Sequence, residues 1–363
     1  MEFRFGKPAG FDVWFDSSTQ LIRMQCHRDV SWCNERVFEL DKKLPQNENR
    51  IITLHEERSS HYSVEKVDLP LKESHLIQVA RGEHQVALQM ATVGSIGMVR
   101  NGFAVESIGI NVVHPNYIAF VIPEFWTGDY LVNGESASES SFFMTGDLDS
   151  FHLHSKSRVT MGVTLPRQPY IETIAALTGV YLEDIKLHDR KFRLSEADSD
   201  TFKARLRALI DETCNTPERH RQIDISNAVI GLLADAYLRA LPESRYQKGR
   251  TNSPAQIVRL AEEYFMAAPG KLITLADLCV AAGVGKTTLY QAFNDVCGLP
   301  PLAYFQKRRM MRARSLLVQT TVKRGMVKQA ALSAGFTELG RFSVEYRQLF
   351  DESPSVTLGR FDL

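Results

Sequence analysis

The stretch AAGVGKTTLYQAF, residues 281–293, decides how this chain is read. It contains GVGKTT, the closing half of a phosphate-binding loop. Such a loop requires G-x-x-x-x-G-K-[ST], so that backbone N–H groups wrap the phosphates while the Lys and hydroxyl reach phosphate and Mg²⁺. Gly285, Lys286 and Thr287 supply the second half, but Val280 stands where the first Gly belongs. The loop should also follow a buried strand. The preceding TLADLCVAAG (274–283) instead places Leu275, Leu278, Cys279 and Ala282 at helical spacing. Thr274 suits an N-cap, and Asp277 stands where a capping box wants an acidic partner. The stretch therefore reads as helix, turn at Gly283, and a second helix from about Lys286: a helix-turn-helix and not a nucleotide site.

The same layout recurs downstream. PLAYFQKRRMMRARSLLV predicts a helix from Pro301 to about Val318. In MVKQAALSAGFTELGRFSVEYRQLF (326–350), Val327, Ala330, Ala331 and Leu332 share a helix, Gly335 makes a turn, and another helix begins near Glu338. One such unit is common; two in series joined by a single helix are far more specific. A connecting helix of ~18 residues spans ~27 Å. Successive major grooves on one face of DNA are ~34 Å apart. That spacer suits two recognition helices in adjacent grooves.

Charge agrees. Net charge over 363 residues is zero, yet from Arg250 onward 15 Lys and Arg face 9 Asp and Glu, a net of +6 balanced by −6 in residues 1–249. A basic block on an acidic remainder suggests a module that meets nucleic acid. No stretch approaches the ~20 apolar residues of a membrane span. The N-terminus lacks the basic and apolar regions of a secretory signal. Five scattered cysteines (26, 33, 214, 279, 297) argue for reduced thiols in a cytoplasmic protein.

These motifs resemble the DNA-binding domain of the AraC/XylS transcription regulators. The pattern is carried by Leu275–Ala276, Gly283, Leu289, Phe293, Gly298, Pro301, Tyr304, Arg309, Ala313, Gly335, Phe336, Phe342, Tyr346, Phe350 and Pro354, over roughly 254–358. Gly285 replaces the usual Ser at an N-cap, a mild change because Gly also caps. Asp351 stands where Gly is usual, and Asp tolerates the left-handed backbone of a helix stop. The resemblance implies double-stranded promoter DNA and RNA polymerase as partners, a homodimer, and an N-terminal domain for effector sensing, dimerisation or both.

Leu289 and Phe293 should face the core, leaving Thr287, Gln291 and Asn294 outward with Tyr290 flanking and Lys286 placed for phosphate. Gln pairs with an adenine edge and Thr touches a thymine methyl. In the second unit Phe342 and Tyr346 turn inward; Gly340, Val344 and Arg347 lie opposite, flanked by Leu339, Arg341 and Ser343. That face is poor in base readers, so weaker specificity or readout of DNA shape is expected. The run Lys307, Arg308, Arg309, Arg312, Arg314 invites a phosphate reading, but one helix cannot show all five to one partner. Its plain reading is a solvated face, with Arg309 divided between internal pairing and DNA.

Upstream, residues 1–165 alternate and punctuate as short strands: 84–90, 103–115, 116–123, 129–134, 141–148, 151–156 and 158–166. After Pro166 the period turns helical over 168–185, 195–214 and 216–241, with Ser195 and Asp198 forming a capping box and Pro217 in a first turn. The expected class is multidomain α+β: a cupin-like β-barrel or sandwich over 1–166, a helical dimerisation and linker region over 167–242, a linker over 243–253, and an all-α domain with two helix-turn-helix units over 254–363. The cupin-like identity and its effector pocket come from the resemblance. His152 and His154 share a strand face, a spacing that suits a metal, but no Glu follows until Glu172, and they read as ordinary strand residues. No nucleophile–base constellation stands out, and no catalytic residue, metal or cofactor is assigned. The function expected is a sequence-specific regulator, an activator answering a small-molecule effector. The alternatives are an effector-independent regulator whose N-terminal domain only dimerises or binds protein partners, and a metal-bearing cupin-like enzyme with an attached DNA domain.

Overall fold

The structure is a computed structural model, and it describes residues 2–4, 11–16, 21–26, 70–82, 86–145, 150–187, 190–215, 219–243, 253–267, 273–320 and 323–359. Cys33, Pro217 and residues 244–252 of the expected linker lie outside them. The chain divides into two compact units, Met1–Glu48 and Asn49–Leu363. In the first, β1 (Glu2–Arg4), β2 (Phe11–Asp16) and β3 (Leu21–Cys26) form an antiparallel sheet of three strands.

The second unit is built on an antiparallel sheet. Its strands are β4 (Leu71–Gln78), β5 (Val86–Val93), β6 (Ile96–Phe103), β7 (Ser107–Val113), β8 (Tyr117–Val132), β9 (Glu135–Ser136), β10 (Ser141–Met144), β11 (Ser150–Pro166), β12 (Arg190–Arg193) and β13 (Leu241–Pro242). The order runs β13-β12-β10-β8-β11-β6-β5, with β4 joined through β7 to β11 and β9 added on β8. Two differences from the sequence reading have a physical cause. The expected strands 116–123 and 129–134 are one strand, as are 151–156 and 158–166, because β-bulges absorb the breaks; β8 and β11 are offset at Ser155/Ser157 and Val159/Thr160. Strands β4 and β12, with polar runs LKESHLIQ and RKFR, were not anticipated, since their alternation is masked by charged residues.

Alternation along the strands makes two faces. Phe120, Ile122, Phe142, Met144, Met161, Val163 and Leu165 point one way, onto α1 (Arg167–Thr178), α2 (Glu196–Asn215) and α3 (Arg219–Arg239), through Tyr170, Ile174, Phe202, Leu206, Ile210, Val229 and Leu233. Ala119, Val121, Tyr130, Val132, Phe143, Phe151 and Leu153 point the other way and form a separate cluster. The first helix is shorter than expected: Gly179 at φ 69° ends α1, and only a 3₁₀ turn, Leu182–Asp184, follows. Ser195 caps α2 from one side of the expected box: the Asp198 N–H donates to Ser195 Oγ at 3.2 Å, while Ser195 Oγ donates to the Asp198 carboxylate at 2.6 Å.

The C-terminal part is helical: α4 (Pro254–Ala267), α5 (Leu275–Ala282), α6 (Lys286–Cys297), α7 (Pro301–Gln319), α8 (Met326–Ser333), α9 (Leu339–Phe350) and α10 (Pro354–Gly359). Among the described residues no helix is long and apolar enough to cross a membrane.

Candidate nucleic-acid interface

The quoted stretch folds as helix, turn, helix. Thr274 caps α5 in a full capping box: the Asp277 N–H donates to Thr274 Oγ1 (3.2 Å) while the Thr274 N–H donates to the Asp277 carboxylate (2.9 Å). Gly283, at φ 64°, closes the helix in the left-handed conformation. Gly285 then starts α6 in extended backbone with no side-chain cap. Helix α5 and the Gly283 turn, and not a strand, lead into Lys286, so the geometry of a phosphate loop is absent. Thr274→Ala should cost about 1 kcal/mol in a urea melt, the usual worth of a cap.

Leu289 and Phe293 are fully buried, together with Ala292, Val296 and Cys297. Lys286, Thr287, Tyr290, Gln291 and Asn294 are all exposed. The second pair repeats this arrangement. Phe342, Tyr346, Leu349 and Phe350 are buried, while Gly340, Arg341, Ser343, Val344 and Arg347 are exposed. Tyr346 donates or accepts a hydrogen bond with Thr357 (2.8 Å), which locks α9 onto α10. Asp351 ends α9 at φ 61°, in the left-handed region. The Arg341 guanidinium lies on Glu345 one turn ahead (2.7 Å), and Gln306 of α7 also donates to Glu345 (2.7 Å). Arg347 makes no ion pair with the described residues.

The basic run on α7 is not a solvated face. Arg308 and Arg314 are buried. Arg314 pairs with Glu352 and stacks over the Phe350 ring at 4.7 Å, and Thr357 Oγ1 donates to the same carboxylate (2.7 Å). Lys307 donates to the Val79 carbonyl at 2.6 Å. Arg309 is half-buried, and desolvation lowers its pKa. These cations stitch the module together, so much of the basic run on α7 is spent on internal contacts.

Sequence reasoning missed the seam between this module and the sheet. His75, Ile110 and His152 stand in one cross-strand row of β4, β7 and β11; Ile77, Ile108 and His154 stand in the next. The three isoleucines pack with Val258, Ala261, Leu278, Phe293, Tyr304 and Phe305 in one core. Within it Glu262 of α4 accepts from His152 Nε2 (2.8 Å) and from the Tyr304 hydroxyl, with the Arg308 guanidinium 3.9 Å away. Burial alone would raise the Glu262 pKa; the hydrogen bond and charge of His152, with Arg308 and Tyr304, overcome it and hold the carboxyl at about 2. His154 bonds Glu106 (3.1 Å) and lies against Gly298, the residue that ends α6. Gly134 packs on the Asp295 carbonyl in the last turn of α6. Gln78 donates to the Leu349 carbonyl (3.1 Å), and Arg81 pairs with Asp351, both at the end of α9. The sheet thus touches the C-terminal end of each outward-facing helix. The two histidines engage carboxylates across the seam and along the sheet, and no group of residues suited to a metal occurs among the described residues. The signal for the seam, two histidines beside alternating isoleucines, is visible in sequence only once the partner helices are known.

Comparison with known proteins bears on the same segment. A helix-turn-helix domain model matches residues 278–360. The XylDLEGF operon transcriptional activator 2 of Pseudomonas putida is 35% identical over 86 residues, 24% of this chain and 55% of that protein. The "Probable thc operon regulatory protein" of Rhodococcus erythropolis is 34% identical over 102 residues, 28% of this chain and 31% of that protein. The chain therefore matches about a third to a half of the length of these relatives. Among solved structures, the AraC-like transcriptional activator CuxR aligns over 77% of this chain and 96% of its own at 12% identity, with a TM-score of 0.38.

Proposed function

Through its C-terminal module the chain belongs to the AraC/XylS family, and on that premise we propose that it is a sequence-specific transcription activator. Residues 254–363 hold two helix-turn-helix units, α5–α6 and α8–α9, that enter successive major grooves. Residues 1–166 form a cupin-like sensor, 167–242 a dimerising helical region, and 243–253 the connection. The partners are promoter DNA, RNA polymerase, a small-molecule effector and a second copy of the chain. The observation that carries this reading is the division of α6: Leu289 and Phe293 fully buried, Lys286, Thr287, Gln291 and Asn294 outward beside them. A helix so divided offers an amide and hydroxyls to base edges and an ammonium to phosphate. In α9, Arg347 and Arg341 hold the backbone, Gly340 and Ser343 permit close approach, and Val344 offers a methyl contact.

The test is titration of the full chain against genomic fragments, then against a selected operator and its single-base-pair variants. Affinity should fall steeply with salt, because phosphate contacts release counterions. Gln291→Ala should cost ~1–3 kcal/mol on the operator and less where the contacted pair is changed. Arg347→Ala should weaken all sequences alike and lower the salt slope by about one. A uniform loss for Gln291→Ala would remove it as a base reader, and salt-insensitive binding would count against the whole reading.

A further inference from the structure

The two helix-turn-helix units are anchored differently. The first shares a core with the sheet: Ile77, Ile108 and Ile110 pack among residues of α4, α5, α6 and the start of α7. The second has its own core, in which Met310, Ala313 and Leu317 of α7 meet Ala331 of α8 and Phe342 and Tyr346 of α9. Among the described residues no sheet side chain belongs to that core, and Met311 of α7 flanks both. The sheet reaches the second unit instead through polar contacts from the end of β4 and the loop 79–82 that follows it. The first unit is therefore fused to the sheet by apolar packing, whereas the second hangs on α7 and on this polar tie.

Gln78 is fully buried. Its Nε2 donates to the carbonyls of Ala80 (3.0 Å) and Gly82 (2.7 Å), which shapes the loop, and to that of Leu349 (3.1 Å) in the last turn of α9. The Gly82 N–H donates to the same Leu349 carbonyl (3.3 Å), from a backbone at φ 149° that L side chains rarely adopt. That carbonyl is one of the four that a helix C-terminus leaves without an internal partner. Beyond it, Arg81 pairs with Asp351, the stop of α9. The loop is rooted on the first unit's side: Val79 packs against the shared core, and its carbonyl accepts from Lys307 of α7. Helix α9 has 12 residues and spans ~18 Å. Holding its C-terminal end therefore decides where its exposed face, at Arg341, Val344 and Arg347, points. We propose that the loop 79–82 is a strap, tied by Gln78 and Arg81, that sets the angle of α9 against α6. These two positioning residues thereby determine which separation of contacted DNA segments the chain accepts. The proposal rests on the DNA-binding reading above and adds a tie to the one that α7 supplies.

The test titrates the full chain against the selected operator and against the same operator with one base pair added between the segments that α6 and α9 contact. One base pair moves the second segment by ~3.4 Å and turns it by ~35°. Affinity should fall about tenfold or more in the wild type, but roughly threefold or less in the double variant Gln78→Met, Arg81→Ala, whose loosened α9 can follow its groove. Arg81→Ala alone should show part of this relaxation while melting as the wild type does, because an exposed ion pair contributes little to stability. Arg81→Lys should restore the wild-type penalty. A second arm needs no DNA: hydrogen exchange at the Gly82 amide should accelerate in Gln78→Met, while the amides of α6 exchange as before. A wild type indifferent to the added base pair, or equal penalties in the wild type and the variants, overturns the proposal and leaves DNA binding standing. Unchanged exchange at Gly82 removes the strap itself. A wild type that binds no fragment at either spacing sinks the DNA-binding reading and this proposal with it, whatever the exchange arm gives.

Discussion

Glu262→Ala is expected to destabilise the full chain by about 3–5 kcal/mol, the range for removing one member of a buried ion pair. The substitution deletes the acceptor of both His152 Nε2 and the Tyr304 hydroxyl and the counter-charge of Arg308, all of them buried. Glu262→Gln keeps the shape and an acceptor, and should lose less. The pH dependence follows from the depressed carboxyl. Its folded pKa of about 2 lies below its ordinary 4.5, so Glu262 contributes its stability in full above the ordinary value and loses it as pH falls from there towards 2. Other groups face the same site. Burial and Arg308 push His75 down against the pull of Glu73, and burial pushes the Cys297 thiol well up. The informative quantity is therefore the difference between wild type and Glu262→Ala in urea denaturation. It should be large at neutral pH and shrink below about pH 4.5. A difference that stays constant to the acid limit would show that the carboxylate is not what holds this site.

Gly298→Ala should be the most damaging glycine substitution in the module. Two costs meet there. The backbone is left-handed at φ 65°, which costs an L-residue ~1–2 kcal/mol. A Cβ would also stand 2.4 Å from the His154 ring, and overpacking of that kind adds typically ~1–3 kcal/mol. Gly283 separates the two terms, since it has nearly the same φ, 64°, but open space around it. Gly283→Ala should show the backbone cost alone. Adding His154→Ala to Gly298→Ala should recover most of the excess, a non-additivity that a double-mutant cycle reads directly. If Gly298→Ala and Gly283→Ala melt alike, His154 is not packed against the end of α6.

The helical module was legible because its signals are local. Thr274 with Asp277, the turn at Gly283, and Leu289 with Phe293 each depend on residues within four positions, and each is found as expected. The Asp351 stop was legible for the same reason. What the sequence hid depends on partners far away in the chain. Lys307, Arg308 and Arg314 look like a solvated or phosphate-facing run until Val79, Glu262 and Glu352 are placed beside them. His152 and His154 suggest a metal pair by spacing, and only the fold supplies their carboxylates, 110 and 48 residues away.

The shared core of Ile77, Ile108 and Ile110 with α4, α6 and α7 bears on how far the two halves can be exchanged. A hybrid that joins this sheet to the DNA-binding half of a relative would set foreign side chains against those isoleucines, His152 and the His154 ring. Cutting the chain between 243 and 254 would instead bare that apolar surface to water, inviting self-association. Transplanting β4, β7 and the first third of β11 with the helices would move both sides of the contact, but it would break β11, which pairs with β6 and β8, and bare new strand edges. Exchange of whole chains therefore preserves this contact, whereas a boundary drawn at the linker divides it.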